Sequence, residues 1–258
     1  DRLSHFTVPL VVHDGKENAA FRSGVLLQIA DMRFLVTAGH DMIEYSVNGY
    51  PVGIALPAKG THPILLLEET FWTTKDYRED ITVTQLTRPV VDYLSGHYNY
   101  IRLSNVMPRR DPNQGKGLYV LYGFPDALIG ADETGARRLQ DWRYLTVPYS
   151  DDFAVVENYD PNLHLVVTYE RRTHSRDGIQ VHPPGMSGCG MWFVGTPLTH
   201  PLFTQADFRL VAIQNCWHKK YEYAKGTWID DVLLILWKYY PDTRKPLMLA
   251  GFDFRGDG

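Results

Sequence analysis

The sequence predicts an all-β protein that ends in a single helix. Short runs of β-branched and aromatic residues dominate the chain, and Gly, Pro, Asn or Asp follows most of them, which is typical of antiparallel strands joined by turns. The predicted strands extend over the whole length of 258 residues, whereas helical periodicity is convincing in one segment only. A chain of this length can form one all-β domain or two packed ones.

Ten strands and one helix are predicted. The helix covers about 229–240 (IDDVLLILWKYY): two acids at its beginning suit the positive end of the helix dipole, and Pro241 follows its apolar run. The strands lie near 7–13, 24–29, 33–39, 81–86, 118–124, 143–149, 163–170, 189–195, 208–216 and 221–229.

Composition excludes several classes of function. The net charge is −4, so there is no electrostatic reason to expect a nucleic-acid partner. No apolar run approaches the roughly 20 residues that span a bilayer, and no membrane partner is expected. The ten histidines show no H-E-x-x-H motif or Cys/His ladder, and no phosphate-binding loop is present, so we expect neither metal nor cofactor.

The compartment is predicted from cysteines and targeting signals. The chain has two cysteines, which are expected to be free buried thiols in a reducing environment. No export signal is visible, and a cytoplasmic location is therefore expected.

Three local motifs carry candidate chemistry. Ser187 lies in PGMSGCG, where flanking glycines allow a tight turn and bring backbone N–H groups close to a substrate carbonyl. His40 ends the apolar run RFLVTAGH, and Asp80 immediately precedes the strand ITVTQL. Each motif has an ordinary structural interpretation by itself: a glycine-rich turn, a surface or core histidine, and an acid that caps a strand.

Together the motifs resemble those of the trypsin/chymotrypsin-like serine proteases. Members of that family carry a TAAH-type histidine motif, a DIAL-type aspartate motif and a GDSGGP-type serine motif, in that order. This chain has TAGH, DITV and GMSGCG in the same order. Further segments also look like family elements: FRSGVLLQIADMRFLVTAGH, LYVLYGFP, LVAIQNCWH and KGTWIDDVLLILW. The resemblance therefore covers nearly the whole chain.

The resemblance implies a fold of two packed six-stranded antiparallel β-barrels with a C-terminal helix. Residues 1–110 would form the barrel that carries His40 and Asp80, and residues 111–258 the barrel that carries Ser187. It also implies the roles of a serine nucleophile, a histidine base and an aspartate that holds the imidazole. The backbone N–H groups of Gly185 and Ser187 would form the oxyanion hole.

Two of the departures from the family's serine motif bear on mechanism. Met186 replaces the aspartate that pairs with a newly cut N-terminal amine in zymogen-type members, which argues against activation by that route. Cys189 raises an alternative in which a cysteine is the nucleophile, as in related viral proteases. Its other interpretation is a small buried thiol behind the catalytic loop.

The resemblance also implies which residues bind substrate. Val181 would form the base of the primary pocket, next to His182, while Asn215 and Trp217 would line its wall. Val181 and the bulky Trp217 favour a small or apolar P1 side chain. Alternatively, His182 and His218 would favour a polar or acidic P1 group.

The sequence therefore predicts a serine endopeptidase that acts on a polypeptide substrate. We expect it to be intracellular and controlled by a regulatory protein or domain. The competing hypothesis is a catalytically silent binding or scaffold protein that has kept the protease fold.

Overall fold

Most strands of the protein belong to two antiparallel sheets. The computed structural model describes residues 3–13, 19–57, 62–74, 78–109, 117–131, 137–170, 181, 183–195 and 208–255. Elements of the first half are β1 (Thr7–His13), β2 (Ala19–Ile29), β3 (Met32–Ala38), α1 (Gly39–Asn48), β4 (Val52–Ala55), β5 (Ile64–Leu67), β6 (Trp72–Thr73), β7 (Ile81–Gln85), α2 (Arg88–Leu94) and β8 (Ile101–Arg102). The first sheet has the order β5-β4-β1-β2-β3-β7-β6, and β8 pairs with β2 in parallel.

The second half contains another sheet and the C-terminal helices. Its elements are β9 (Leu118–Gly123), β10 (Ile129–Ala131), β11 (Arg137–Leu139), β12 (Trp142–Thr146), β13 (His164–Thr168), β14 (Gly190–Gly195), β15 (Arg209–His218), β16 (Tyr223–Trp228), α3 (Ile229–Tyr239) and α4 (Arg244–Leu249). The sheet order is β12-β9-β14-β15-β16-β13, and β10 and β11 form a separate ribbon. Short 3₁₀ helices cover Leu3–His5, Leu103–Asn105, Asp126–Leu128, Phe153–Val155 and Pro241–Thr243.

The second sheet closes on itself directly after β12. The Thr168 N–H donates to the Val147 carbonyl at 3.1 Å, and the Tyr149 N–H donates to the Val166 carbonyl at 3.0 Å. These bonds join the chain beyond β12 to β13 at the opposite edge of the sheet. The result is a barrel, in which no long edge is left unpaired between these two strands.

Strands at the centre of the molecule contribute side chains to two hydrophobic cores, one on each face. Along β3, Phe34 and Val36 pack into a core shared with α3, whereas Leu35 faces the interior of the first barrel. Along β14, Trp192 packs into the shared core and Met191 into the interior of the second barrel. Because successive side chains of a strand point to opposite faces, burial on both faces produces continuous apolar runs such as FLV at 34–36. The shared core holds the two barrels together.

The C-terminal helix is confirmed. Residues Asp230 and Asp231 lie in its first turn and Lys238 in its last turn, as the helix dipole favours. Its buried face follows the helical period and packs into the shared core; it consists of Ile229, Val232, Leu233, Ile235 and Leu236. The helix thereby covers the junction of the two barrels.

The all-β class and all ten predicted strands are confirmed, with shifts at their ends. The first sheet has eight strands instead of six, because it includes the two-residue strands β6 and β8. Sequence reasoning missed the four-residue strands β4 and β5 and the helices α1, α2 and α4. These elements are too short for a periodic pattern to identify them.

Candidate active site

His40 and Asp80 are brought together by the pairing of β3 with β7. Ala38, the last residue of β3, pairs with Ile81, the first residue of β7. The next residues beyond this pair therefore lie side by side, and the Gly39 N–H donates to the Asp80 carbonyl at 2.9 Å. His40, in the first turn of α1, follows Gly39, so the histidine and the acid meet at one edge of the first barrel.

The His40 side chain is held by the Asp80 carboxylate. Its Nδ1 lies 2.7 Å from Oδ2 of Asp80, and its backbone N–H donates to Oδ1 at 2.5 Å. The carboxylate is 13% exposed and the imidazole 40% exposed. Because a carboxylate accepts hydrogen bonds, Nδ1 carries the proton in the neutral ring and Nε2 is the nitrogen that can accept one.

Asp80 has an unusual backbone conformation. Its φ angle is +47°, in the left-handed region that L-residues other than Asn and Asp seldom adopt. On the side of the first barrel, Thr74 holds the following residue: the Ile81 N–H donates to the Thr74 hydroxyl at 3.1 Å, and the Thr74 N–H donates to the Ile81 carbonyl at 2.9 Å. Such a conformation persists where the surroundings fix it.

A tight turn precedes Ser187. The Met186 N–H donates to the Pro183 carbonyl at 2.7 Å, which closes a four-residue turn, and Gly185 has a φ of +89°. A positive φ at the third residue occurs in type I′ and type II turns, but type I′ also needs a positive φ at the second residue. That residue is Pro184, whose ring fixes φ near −65°. The turn is therefore type II.

The central peptide of this turn has a defined orientation. The Pro184 carbonyl accepts a hydrogen bond from the Asp126 N–H at 2.8 Å. In a trans peptide the C=O and the following N–H point in opposite directions, so the Gly185 N–H points away from Asp126. A Cβ at Gly185 would lie 2.6 Å from the Asp126 nitrogen, so a side chain at this position would displace the backbone contact.

The Ser187 turn packs against β2 and against the end of β3, two residues before His40. The Ser23 N–H, on β2, donates to the Ser187 carbonyl at 3.0 Å. Gly188 has a φ of +87°, and a Cβ there would lie 3.0 Å from the nitrogen of Ala38, two residues before His40. The half-buried Ser187 therefore lies where the second barrel touches the histidine edge of the first.

Met186 and Cys189 both belong to the core of the second barrel. Each is 0% exposed. Burial raises the pKa of the Cys189 thiol far above its usual range, so the nucleophilic thiolate is strongly disfavoured. The cysteine-nucleophile alternative thus has no chemical support from the surroundings of this side chain.

The predicted substrate-binding residues are found in different environments. Val181 is 1% exposed, and His182 lies outside the described residues. Trp217 packs against the core of the second barrel, with its ring edge-on to Tyr169 at 6.3 Å. Asn215 is 5% exposed, and its Nδ2 donates to the hydroxyl of Thr227 at 3.0 Å. Its side chain therefore points towards the interior behind Asp80.

Several residues that stabilise this site belong to no recognisable sequence motif. Ser23 donates its hydroxyl to the Gly185 carbonyl at 3.0 Å and accepts the Phe124 N–H at 2.9 Å. Asp126 fixes the Pro184 carbonyl through its backbone, which any non-proline residue could do. No sequence signal distinguishes such residues from other loop and strand positions.

Two solved structures share this fold. The chain is similar to the thermostable serine protease AL20 from an extremophilic microorganism, with 12% identity and a TM-score of 0.52 over 87% of this chain and 91% of that one. It is also similar to HL collagenase, with 12% identity and a TM-score of 0.55 over 91% of this chain and 93% of that one. No family model and no curated protein sequence matches the chain. The predicted double-barrel, chymotrypsin-like fold is thus confirmed.

Within the described ranges, no group of three or more His, Cys, Asp or Glu side chains is arranged to hold a metal ion. In that same part of the chain, none of the helices has the length and apolar character needed to span a bilayer.

Proposed function

We propose that this protein is a serine endopeptidase that hydrolyses peptide bonds through His40, Asp80 and Ser187. The observation that carries the proposal is the pair of hydrogen bonds from His40 to the two oxygens of Asp80, 2.7 Å from Nδ1 and 2.5 Å from the backbone. This arrangement leaves Nε2 as the proton acceptor at the edge against which the Ser187 turn packs.

The proposed reaction has two stages. Ser187 Oγ attacks the scissile carbonyl while His40 Nε2 takes its proton and then gives it to the leaving amine, which produces an acyl-enzyme. Water then attacks the acyl group with His40 again as the base, and Ser187 is released. Asp80 holds the imidazole in the Nδ1–H tautomer and stabilises the imidazolium during both stages.

The oxyanion hole of the proposal consists of the N–H groups of Gly185 and Ser187. Its support is the type II turn, because the Pro184 carbonyl is bonded to Asp126 and the Gly185 N–H consequently points the other way. Donors aimed at the developing oxyanion contribute about 2.7–4 kcal/mol each in acyl-transfer enzymes. The apolar Met186 in the core is consistent with a turn that forms without an ion pair to an N-terminal amine.

We further propose a polypeptide substrate, an intracellular location and control by a regulatory protein or domain. Val181 and Trp217 would restrict the P1 side chain to a small or apolar group. The competing hypothesis, a silent binding or scaffold protein, differs from this proposal only in the reactivity of Ser187.

A fluorophosphonate probe tests the proposal. The wild type, Ser187→Ala, His40→Ala and Cys189→Ala would be labelled, and the adduct would be located by mass spectrometry. We expect an adduct on Ser187 that requires His40 and persists in Cys189→Ala. Ser150→Ala, at an exposed position, is the control that should label like the wild type. A folded wild type that does not react would favour the scaffold hypothesis.

A further inference from the structure

Two successive carbonyls that precede Asp80 are bound by the second barrel. The Arg78 carbonyl accepts a hydrogen bond from Nε2 of His164, on β13, at 2.7 Å. The Glu79 carbonyl accepts one from the hydroxyl of Thr227, on β16, and a longer one from Asn215 Nδ2 at 3.4 Å. The segment that carries the candidate acid of the first barrel is therefore fixed by side chains of the other barrel.

Both ring nitrogens of His164 form hydrogen bonds with the backbone. His164 is 1% exposed. The Asp160 N–H donates to its Nδ1 at 3.0 Å, while the Arg78 carbonyl can only accept from its Nε2. One nitrogen must therefore be the acceptor and the other the donor, which defines the neutral Nε2–H tautomer. A protonated ring would carry a second N–H directed at the Asp160 N–H.

The position of Asp80 depends on these contacts. Its left-handed φ of +47° is an unfavourable conformation that persists only while its surroundings hold it. A carboxylate that moves with its backbone changes the orientation of the His40 ring, since both oxygens are bonded to that residue. Anchoring of Arg78 and Glu79 thus controls the geometry at the imidazole.

We propose that His164 is a positioning residue, which holds the Arg78 carbonyl and through it keeps the Asp80 carboxylate aligned with His40. The kinetic consequence rests on the proposed function. The structural consequence, a change at His40 when His164 loses its bonds, does not.

Protonation of His164 is expected to undo this alignment. Burial lowers the pKa of His164, and the charges of Lys225 and Arg78 act in the same direction, whereas the bond to the Arg78 carbonyl and the charge of Asp160 raise it. The Tyr159 ring also lies beside the imidazole, 6.3 Å between centroids. Because the pKa of His164 is lowered, the alignment is intact at neutral pH and is lost only in a range below the usual histidine pKa of about 6.5.

Four proteins test the proposal: the wild type, His164→Gln, His164→Leu and Thr243→Val. Glutamine keeps one N–H donor and one carbonyl acceptor but does not titrate, whereas leucine removes both bonds. Thr243→Val is the matched control, because its buried hydroxyl also donates to backbone carbonyls, those of Tyr240 at 2.7 Å and Leu236 at 3.1 Å, and neither of these lies in the 78–80 segment. The measurement is the second-order rate constant of fluorophosphonate inactivation from pH 4.5 to 8. Each rate is divided by the fraction of folded protein, which circular dichroism measures.

We expect His164→Leu to react roughly 10–100-fold more slowly at pH 8, since a small displacement of a catalytic group costs up to about this factor. His164→Gln should stay within about threefold of the wild type at pH 8, and its acid limb should be less steep because one titrating group is removed. An equal rate in His164→Leu and Thr243→Val would overturn the proposal. If His164→Leu does not fold, the proposal would be overturned by a His164→Gln variant whose inactivation rate falls at acid pH as steeply as that of the wild type.

A second measurement separates this proposal from the proposed function. The downfield proton resonance of the His40 Nδ1–H reports the bond to Asp80 whether or not Ser187 reacts. The resonance should be preserved in His164→Gln and Thr243→Val and shifted or lost in His164→Leu. If His164→Leu does not fold, the comparison is made at acid pH, where the resonance should weaken in the wild type but not in His164→Gln. An unreactive wild type that shows these changes would refute the protease function alone, whereas an unaffected resonance would refute the positioning role.

Discussion

The Ser23 hydroxyl donates a hydrogen bond to the Gly185 carbonyl at 3.0 Å, across 162 residues of chain. Ser23 belongs to the first barrel and Gly185 to the turn that precedes Ser187 in the second. The same hydroxyl accepts the Phe124 N–H, so one oxygen connects three segments at the junction of the barrels.

Ser23→Ala should destabilise the protein and slow the reaction of Ser187. The change leaves the Gly185 carbonyl without its donor and the Phe124 N–H without its acceptor, which costs about 1–3 kcal/mol. Chemical denaturation would measure this loss, and the rate of fluorophosphonate labelling would report the disturbed turn. Ser104→Ala, at an exposed position, is the control. Equal stability of the two variants would contradict the assigned role of Ser23.

Gly188→Ala should prevent normal folding, whereas Gly195→Ala should be tolerated. Both glycines have positive φ angles, +87° and +89°, so both substitutions incur a similar backbone cost of roughly 1–2 kcal/mol. A Cβ at Gly188 would also lie 2.1 Å from the Ser23 carbonyl oxygen, but a Cβ at Gly195 would meet nothing within 4 Å. Thermal unfolding of both variants measures the difference, and similar melting temperatures would disprove the steric argument.

Asp231→Asn should stabilise the protein in a pH-dependent way. Burial raises the pKa of Asp231 to about 7, opposed by Arg109 and reinforced by Asp230. The folded state therefore holds this proton more tightly than the unfolded chain. The contribution of this group to the free energy of unfolding is fully present below about pH 4 and is lost as the pH rises through 7. We expect a gain of roughly 1–2 kcal/mol at pH 8 and little change at pH 4, on the scale of a partly offset buried carboxylate. Urea denaturation at pH 4 and pH 8 measures the change, and Asp92→Asn, at an exposed position, is the control.

Trp217→Gly should broaden the range of accepted P1 side chains. The indole packs on the core of the second barrel and against Tyr169, so its removal would leave space at the wall of the proposed pocket. Profiling with a peptide library should show small or apolar P1 residues for the wild type and larger apolar ones for the variant. Trp237→Ala, on α3, should keep the wild-type profile. A wild-type profile dominated by Arg or Lys would refute this specificity.

The sequence by itself determined the fold class, the ten strands, the C-terminal helix and the three motifs around His40, Asp80 and Ser187. Those features are local: alternation, turn residues and helix signals are encoded in neighbouring positions. The motifs also predicted that histidine and aspartate would follow and precede strands. Whether the two strands are partners, as β3 and β7 are, is a property of the sheet and not of either segment.

Only the tertiary structure decided which residues hold the site. His164 meets the Arg78 carbonyl across 86 residues, and Ser23 meets Gly185 across 162. The sequence suggested Asn215 as part of a pocket wall, but its amide is bonded behind the acid, to Thr227. Hydrogen bonds from side chains to backbone carbonyls require no particular partner residue and leave no motif. Their donors become identifiable only when the two barrels pack and bury them.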